Sequence, residues 1–353
     1  MRRPLFITVL VAWALGSPGL PVAWCQAPPQ QPAMTVEEAI QALQAPLAKT
    51  RDAAAIALYE AGPQASPAVP VIIDILNREW PEVRGDLLFV LLAIGPDARE
   101  AVPVLMKVAG SADFHARYLT ARVLGAIGPP ARPAVPLLVT MLNDQVASVR
   151  RRAAEALGNL GPDVAPDAIR PLIHSMQDGV HAVRVEAILA VGKFGELGKA
   201  ALPRLQQVAT TPESSERAQA ARAIWMLTQD ANFVLPILTQ LLNDGGLEWE
   251  PLEVIAEMGP AAQGAVPHLI RALDKDESVQ IFAAAALGKI GPGAASAVPA
   301  LRTLLDHPEQ EVRDAAQQAI AAIEGPAQPQ ETAQPQEPAQ PQEPAQPQET
   351  AQP

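Results

Sequence analysis

The residues of this chain that could do chemistry are few and scattered. Its five histidines, His115, His174, His181, His268 and His307, are scattered, with no HExxH and no His-Glu pair evident. A metal centre needs converging ligands, so surface or partly buried histidine is the expectation. Cys25 is the single cysteine, which leaves no basis for thiol chemistry or a Cys-based metal site. The chain has no nucleophile elbow, P-loop or Gly-rich dinucleotide loop. No catalytic residue, metal or cofactor is expected. Charge and aromatic placement are more informative. Arg117, Arg122, Arg132, Arg150, Arg151 and Arg152 form a basic cluster, and Asp244, Glu248, Glu250, Glu253 and Glu257 an acidic one. Helical spacing sets Glu250, Glu253 and Glu257 on one face. Such residues could bind a protein or peptide, with Tyr118, Arg122, Arg151 and Arg152 at a basic end and Trp249, Glu250, Glu253 and Glu257 at an acidic end. An ordinary solvated helix face would also account for the charges. Trp225 and Phe282 read as packing. The net charge of −12 argues against nucleic acid as partner, because phosphates call for a basic surface.

The elements that must position these residues recur about every 33 residues, and 131–163 is the cleanest copy. Val135, Leu138, Val139 and Leu142 recur at helical spacing, and Pro136 suits a first turn, where an N–H has no intrahelical acceptor. Asn143 and Asp144 then read as turn and N-cap chemistry. A second helix carries Val149, Ala153, Ala156, Leu157 and Leu160 on one side, with Gly161-Pro162 as its stop. An apolar–Pro anchor recurs at Pro70, Pro103, Pro136, Pro171, Pro203, Pro236, Pro267 and Pro299. A Gly-Pro stop recurs at Gly62, Gly95, Gly128, Gly161, Gly259, Gly291 and Gly325, with Gly195-Glu196 a partial match. Hairpin six ends in Thr228-Gln229, and its stop reads as missing altogether. Hairpin seven diverges most, with Glu248 at the arginine position and Pro251 delaying its second helix to about Glu250. Two markers sharing one period signify a solenoid, whose stacked units bury a continuous core. The count is nine hairpins over 35–324, the first opened by a Thr35–Glu38 capping box in place of the Pro. The second helices should line the concave wall.

The endings such as VRRRAAEALGNLG resemble the HEAT family, in the short bacterial form also seen in phycobilisome lyases. The resemblance implies an all-α, right-handed superhelical solenoid of antiparallel helical hairpins. It also implies a structural ladder, in which an Asp and an Arg six residues apart pair between adjacent repeats. Asp144 with Arg150 and Asp178 with Arg184 match that spacing. Arg84, Arg117, Arg217 and Arg313 keep the Arg without the Asp, and Gln280 replaces the Arg after Asp274. Fold does not fix function. Some HEAT-like proteins are iron hydroxylases built on His-Glu pairs, which this chain lacks. Others attach bilin pigments, against which export weighs, or excise alkylated DNA bases, against which export and acidity both weigh.

Residues 1–25 read as a secretory signal peptide, with Arg2 and Arg3 before the apolar run Leu5–Leu15 and a cut expected before Gln26. A lipoprotein signal ending at Cys25 is the rival, and would tether the chain to a membrane. The chain is expected to be periplasmic or extracellular. Residues 26–34 form a Pro/Gln spacer, and 325–353 a disordered tail of AQPQE[TP] repeats. That tail could be a spacer, a ligand for an aromatic groove or a solubilising segment. The functional expectation is an exported, non-catalytic scaffold binding an unknown protein or peptide partner on its concave face. The alternatives are a bilin-lyase-like or metal-dependent hydroxylase-like enzyme, or an envelope spacer.

Overall fold

The computed structural model describes residues 34–79, 84–211, 214–244 and 249–325. The expected signal peptide, Cys25, the tail, Trp80-Pro81 and Glu248 lie outside them. The described residues form nine antiparallel helix pairs stacked in chain order, with no strand. The first helices are Val36–Ala42, Val69–Arg78, Val102–Val108, Val135–Met141, Ala165–Ser175, Leu202–Val208, Ala231–Asp244, Val266–Ala272 and Val298–Thr303. Their partners are Ala48–Ala61, Gly85–Ile94, Phe114–Ile127, Ala147–Asn159, His181–Gly192, Ser214–Thr228, Trp249–Met258, Glu277–Ile290 and Gln310–Glu324. The architecture is the expected all-α solenoid.

Local chemistry accounts for the boundaries. Thr35 accepts the Glu38 N–H while its own N–H donates to the Glu38 carboxylate at 2.9 Å, completing the capping box. Pro136 sits in the first turn of Val135–Met141. The second helix of hairpin four is capped differently from the sequence expectation. Its N-cap is Val146, and Asp144 contributes from two residues earlier by accepting the Val146 N–H at 2.8 Å. At the stops the chain turns through positive φ, as at Gly128 with φ 72°. Glycine adopts that conformation without a Cβ clash, and Pro129 then opens the short 3₁₀ turn Pro129–Ala134 leading to the next hairpin. Hairpin six corrects the expectation of a missing stop. Gln229 takes φ 54°, the one positive-φ non-glycine among the described residues, and the chain enters Ala231–Asp244 almost at once. Its side chain donates back to the Trp225 carbonyl at 2.9 Å, holding the turn.

Packing runs chiefly between second helices, which stack along their lengths while the first helices touch less. The second helices therefore form the more closely packed, inner layer of the stack. Small residues make this possible: a Cβ built on Gly158 would lie 2.8 Å from the Ala190 Cα, and one on Gly125 3.0 Å from the Ala156 Cα. Leu157, Ala153 and Ala156 are fully or almost fully buried beneath that contact. One apolar core runs from Ala39 to Ile323.

Candidate partner-binding face

A ladder of ion pairs crosses the inter-helix turns and fixes the register of the second helices. Arg117 donates to both oxygens of Asp144 at 2.7 and 3.0 Å, and Arg150 to both of Asp178 at 2.7 and 2.9 Å. Each arginine also donates to carbonyls of its own turn, Arg150 to those of Asp144 and Gln145. Every arginine thus ties its own turn to the acid of the next, and the bidentate geometry adds directional strength. The guanidinium hydrogen bond outweighs burial and holds the Asp144 and Asp178 carboxyls below their ordinary range. Arg184 continues the series to Glu216 at 2.6 Å, and Arg217 reaches Asp244 more loosely at 3.4 Å. Arg117 and Arg217 lack an Asp six residues earlier, yet both join the ladder, because the acid comes from the following repeat. The ladder stops where the acid or the arginine is absent. Ser111 holds the place that would serve Arg84, which pairs instead with Asp86 of its own helix. Gln280 spends its amide on the Leu273 carbonyl.

Glu216 also brings together a pair that sequence spacing did not reveal. The His181 Nδ1 lies 2.9 Å from the same Glu216 oxygen that Arg184 uses. Burial alone would raise this carboxyl, but those two hydrogen bonds bring it below its usual value. The residues are 35 apart, so only the repeat register could have paired them. Among the described residues no group of three or more His, Cys, Asp or Glu could hold a metal ion.

The basic end is assembled on adjacent second helices. Arg152 donates to the Tyr118 hydroxyl at 3.1 Å, lies 5.3 Å from the ring centroid, and pairs with Glu155. Arg122 also lies over the Tyr118 ring, 5.8 Å from its centroid. Burial alone would raise the Tyr118 phenol, yet the Arg152 hydrogen bond and the nearby Arg122 and Arg151 charges bring it below its ordinary value. Arg152 is thus a fixed, half-buried member of a cluster. Arg122 and Arg151 make no ion pair among the described residues.

The acids of the acidic end share one side of their helix, as the spacing predicts, but that side is turned onto the second helix of hairpin six. Glu253 and Glu257 converge on Arg222 of hairpin six at 3.1 and 3.0 Å. Glu250 is buried at 6% exposure, accepting from the Ser215 hydroxyl at 2.9 Å. It sits in the first turn of its helix, against the neighbouring second helix, so the helical spacing placed it correctly but packing covers it. Trp249 is 41% exposed.

Sequence reasoning also passed over a third region of this layer. Ile56, Tyr59 and Phe89, on the second helices of hairpins one and two, are large, apolar and solvent-exposed. With Asp52, Ala55 and Asp86 they line a cavity of about 640 Å³. The signal was present as apolar residues on the wrong side of an otherwise buried helix pattern.

A family model described as HEAT repeats matches the chain at residues 69–158, 135–225 and 235–321. No curated protein matches it in sequence. Among solved structures, the Kap95:Nup1 complex is similar with a TM-score of 0.56 and 15% identity, over 81% of this chain and 46% of that one. The karyopherin Kap121p bound to the extreme C-terminus of the protein phosphatase Cdc14p gives 0.47 and 15%, over 82% and 37%. The complex of CpcE and CpcF of phycocyanin lyase from Nostoc sp. PCC7120 gives 0.39 and 20%, over 87% and 100%. This chain spans less than half the length of the Kap95 and Kap121p chains. At such identities the likeness is one of fold.

Proposed function

This chain belongs to the HEAT-repeat family, and from that premise we propose that it is an exported, non-catalytic scaffold that holds a protein or peptide partner along its second-helix face. The observation that carries this reading is the contrast between two sets of arginines. The ladder arginines of hairpins three to six each have an acidic partner. Arg122 and Arg151, on the inner layer of the same part of the stack, have none among the described residues. Unneutralised guanidinium groups beside an aromatic ring, on a rigid surface, are well suited to a partner's carboxylates. Kap95 was solved in complex with Nup1, which supports a binding role for a solenoid of this shape. Export rests on the Arg2-Arg3 and Leu5–Leu15 pattern.

The test is site-specific photo-crosslinking in cells of the source. A photoreactive residue replaces Arg151 or Trp249 on the inner layer, and Arg170 on an exposed first helix serves as control. Discrete adducts from Arg151 and Trp249, recovered from the exported fraction and absent at Arg170, are expected. Equal labelling at all three positions, or a wholly cytoplasmic product, would overturn the proposal.

A further inference from the structure

We propose that the N-terminal end of the second-helix face is a docking groove for an extended, acidic protein segment with one large apolar anchor residue. The inference rests on the scaffold reading above and specifies its partner. It starts from the repeat register. Ile56, Phe89, Arg122 and Glu155 are spaced at intervals of 33 residues. The second helices of hairpins one to four pack side by side in that order. One column of the inner face therefore reads apolar, apolar, basic, acidic.

The apolar part is a cavity. Ile56, Tyr59 and Phe89, exposed at 50%, 52% and 43%, gather around its volume of about 640 Å³. Clustered exposed apolar side chains with a polar rim mark an interaction site. The cavity has a cause in the packing. Where Gly125 and Gly158 let the next helix approach closely, the same register position holds Tyr59 and Leu92. Leu92 also opens a smaller cleft of about 130 Å³, lined further on by Arg122, Arg152, Glu155 and Asn159. The apolar cavity and the cleft at the basic cluster thus lie on successive second helices of one face, with Phe89 lining the first and Leu92 of the same helix the second.

Charge then selects the occupant. Asp86 at the cavity is neutralised by Arg84, and Glu155 is tied to Arg152. What stays open along the groove is one carboxylate, Asp52, followed by two guanidinium groups, Arg122 and Arg151. A segment that buries an aromatic or branched aliphatic residue in the cavity and places Asp or Glu residues two hairpins further on satisfies both features. A basic segment would meet like charge at Arg122 and Arg151. Residues 326–353 of this chain contain only Pro, Ala, Gln, Glu and Thr. They offer carboxylates but no anchor large enough for the cavity.

The experiment is to pan a random-peptide display library against the full-length protein and to measure synthetic consensus peptides by fluorescence anisotropy. An aromatic or aliphatic residue flanked on one side by Asp or Glu is expected in the enriched pool. Phe89→Asp should weaken that peptide about tenfold or more, as loss of an anchor does. Arg122→Glu with Arg151→Glu should weaken it about tenfold and shift the enriched pool toward Lys and Arg. None of the three side chains is in the core, so the variants should keep the parental circular-dichroism melt. Enrichment of basic peptides on the second-helix face would overturn this inference while leaving the scaffold reading intact. Absence of any binder on that face would overturn both. A synthetic 326–353 peptide that competes at equal affinity would overturn the choice of occupant in favour of self-docking.

Discussion

Hairpins three to five and hairpins six to seven are built to one plan and solve it in different ways. In the first region Gly125, Gly158 and Gly192 meet Ala156, Ala190 and Ala223 of the next second helix, and the arginine–acid rungs are short. In the second region the register position of those glycines holds Trp225, buried at 8%. Gln229 replaces the glycine of the stop, and Ala231–Asp244 follows without a 3₁₀ turn. The rung there is 3.4 Å long, and Asp244 is half exposed. Two other contacts compensate, Ser215 with Glu250 and Arg222 with both Glu253 and Glu257. Close backbone approach needs only small residues and a repeated ion pair. An indole wedged between helices requires a bespoke set of polar contacts around it. The charges that read from sequence as an acidic binding end are largely those contacts.

This comparison can be broken at Trp225. Trp225→Ala should lower unfolding stability by about 3–4 kcal/mol, the cost of emptying an indole-sized space that neighbours cannot refill. A loss below about 1 kcal/mol in urea denaturation would mean that the joint closes, and that Trp225 is not its filler. Gly158→Val tests the opposite solution and should cost about 2–3 kcal/mol, because its Cβ falls 2.8 Å from the Ala190 Cα and the backbone must move. If Gly158→Val is neutral by the same assay, the helices of the regular region are not held by small residues.

The ladder gives the next largest effect, with a pH signature. Asp178→Asn leaves Arg150 without its bidentate acceptor and should cost about 1.5–3 kcal/mol. Asp244→Asn, at a long and exposed rung, should cost less than about 0.5 kcal/mol. The Asp144, Asp178 and Glu216 carboxyls are all held below their ordinary values. A depressed folded value stabilises the protein fully above the unfolded value near pH 4, and that contribution is lost as pH falls through the folded value. Native stability should therefore decline on acidification below about pH 4, and Asp178→Asn should flatten the decline. An unchanged acid profile in that variant would remove Asp178 from the account.

Much of this was legible in the sequence because each repeat reports on the others. The Pro anchors and Gly stops specify helix ends by backbone chemistry that depends on one residue, as the first-turn Pro136 and Gly128 at φ 72° show. What was not legible depends on contacts between repeats. Gln229 could take the stop position because its side chain bonds the preceding turn, a compensation no single-residue rule contains. Arg117 and Arg217 seemed to lack acids when each repeat was read alone, since their acids lie 27 residues ahead. Glu250 had the right helical phase for an open face, yet the neighbouring helix covers that turn. The apolar cavity at Ile56, Tyr59 and Phe89 escaped notice because an apolar residue in a helical pattern is read as core until the stack reveals which side faces out.

The smallest expected effect separates the binding residues from the structural ones within a single helix. Arg151 and Arg152 are adjacent, and sequence spacing treats them alike. Arg152 holds the Tyr118 hydroxyl and Glu155, so Arg152→Glu should destabilise by about 1–2 kcal/mol through broken charged hydrogen bonds and a new clash with Glu155. Arg151 makes no such contacts, and its Nε is buried without a partner. Arg151→Glu relieves that unpaired nitrogen but adds a carboxylate near Glu186, whose own carboxyl is already pushed up by burial and by Glu155. The two changes oppose each other, and the net should lie within about 0.5 kcal/mol of zero. Thermal melts of the two single variants decide it. A shift for Arg151→Glu as large as that for Arg152→Glu would make Arg151 part of the framework, and would move the binding charge of hairpins three and four onto Arg122 alone.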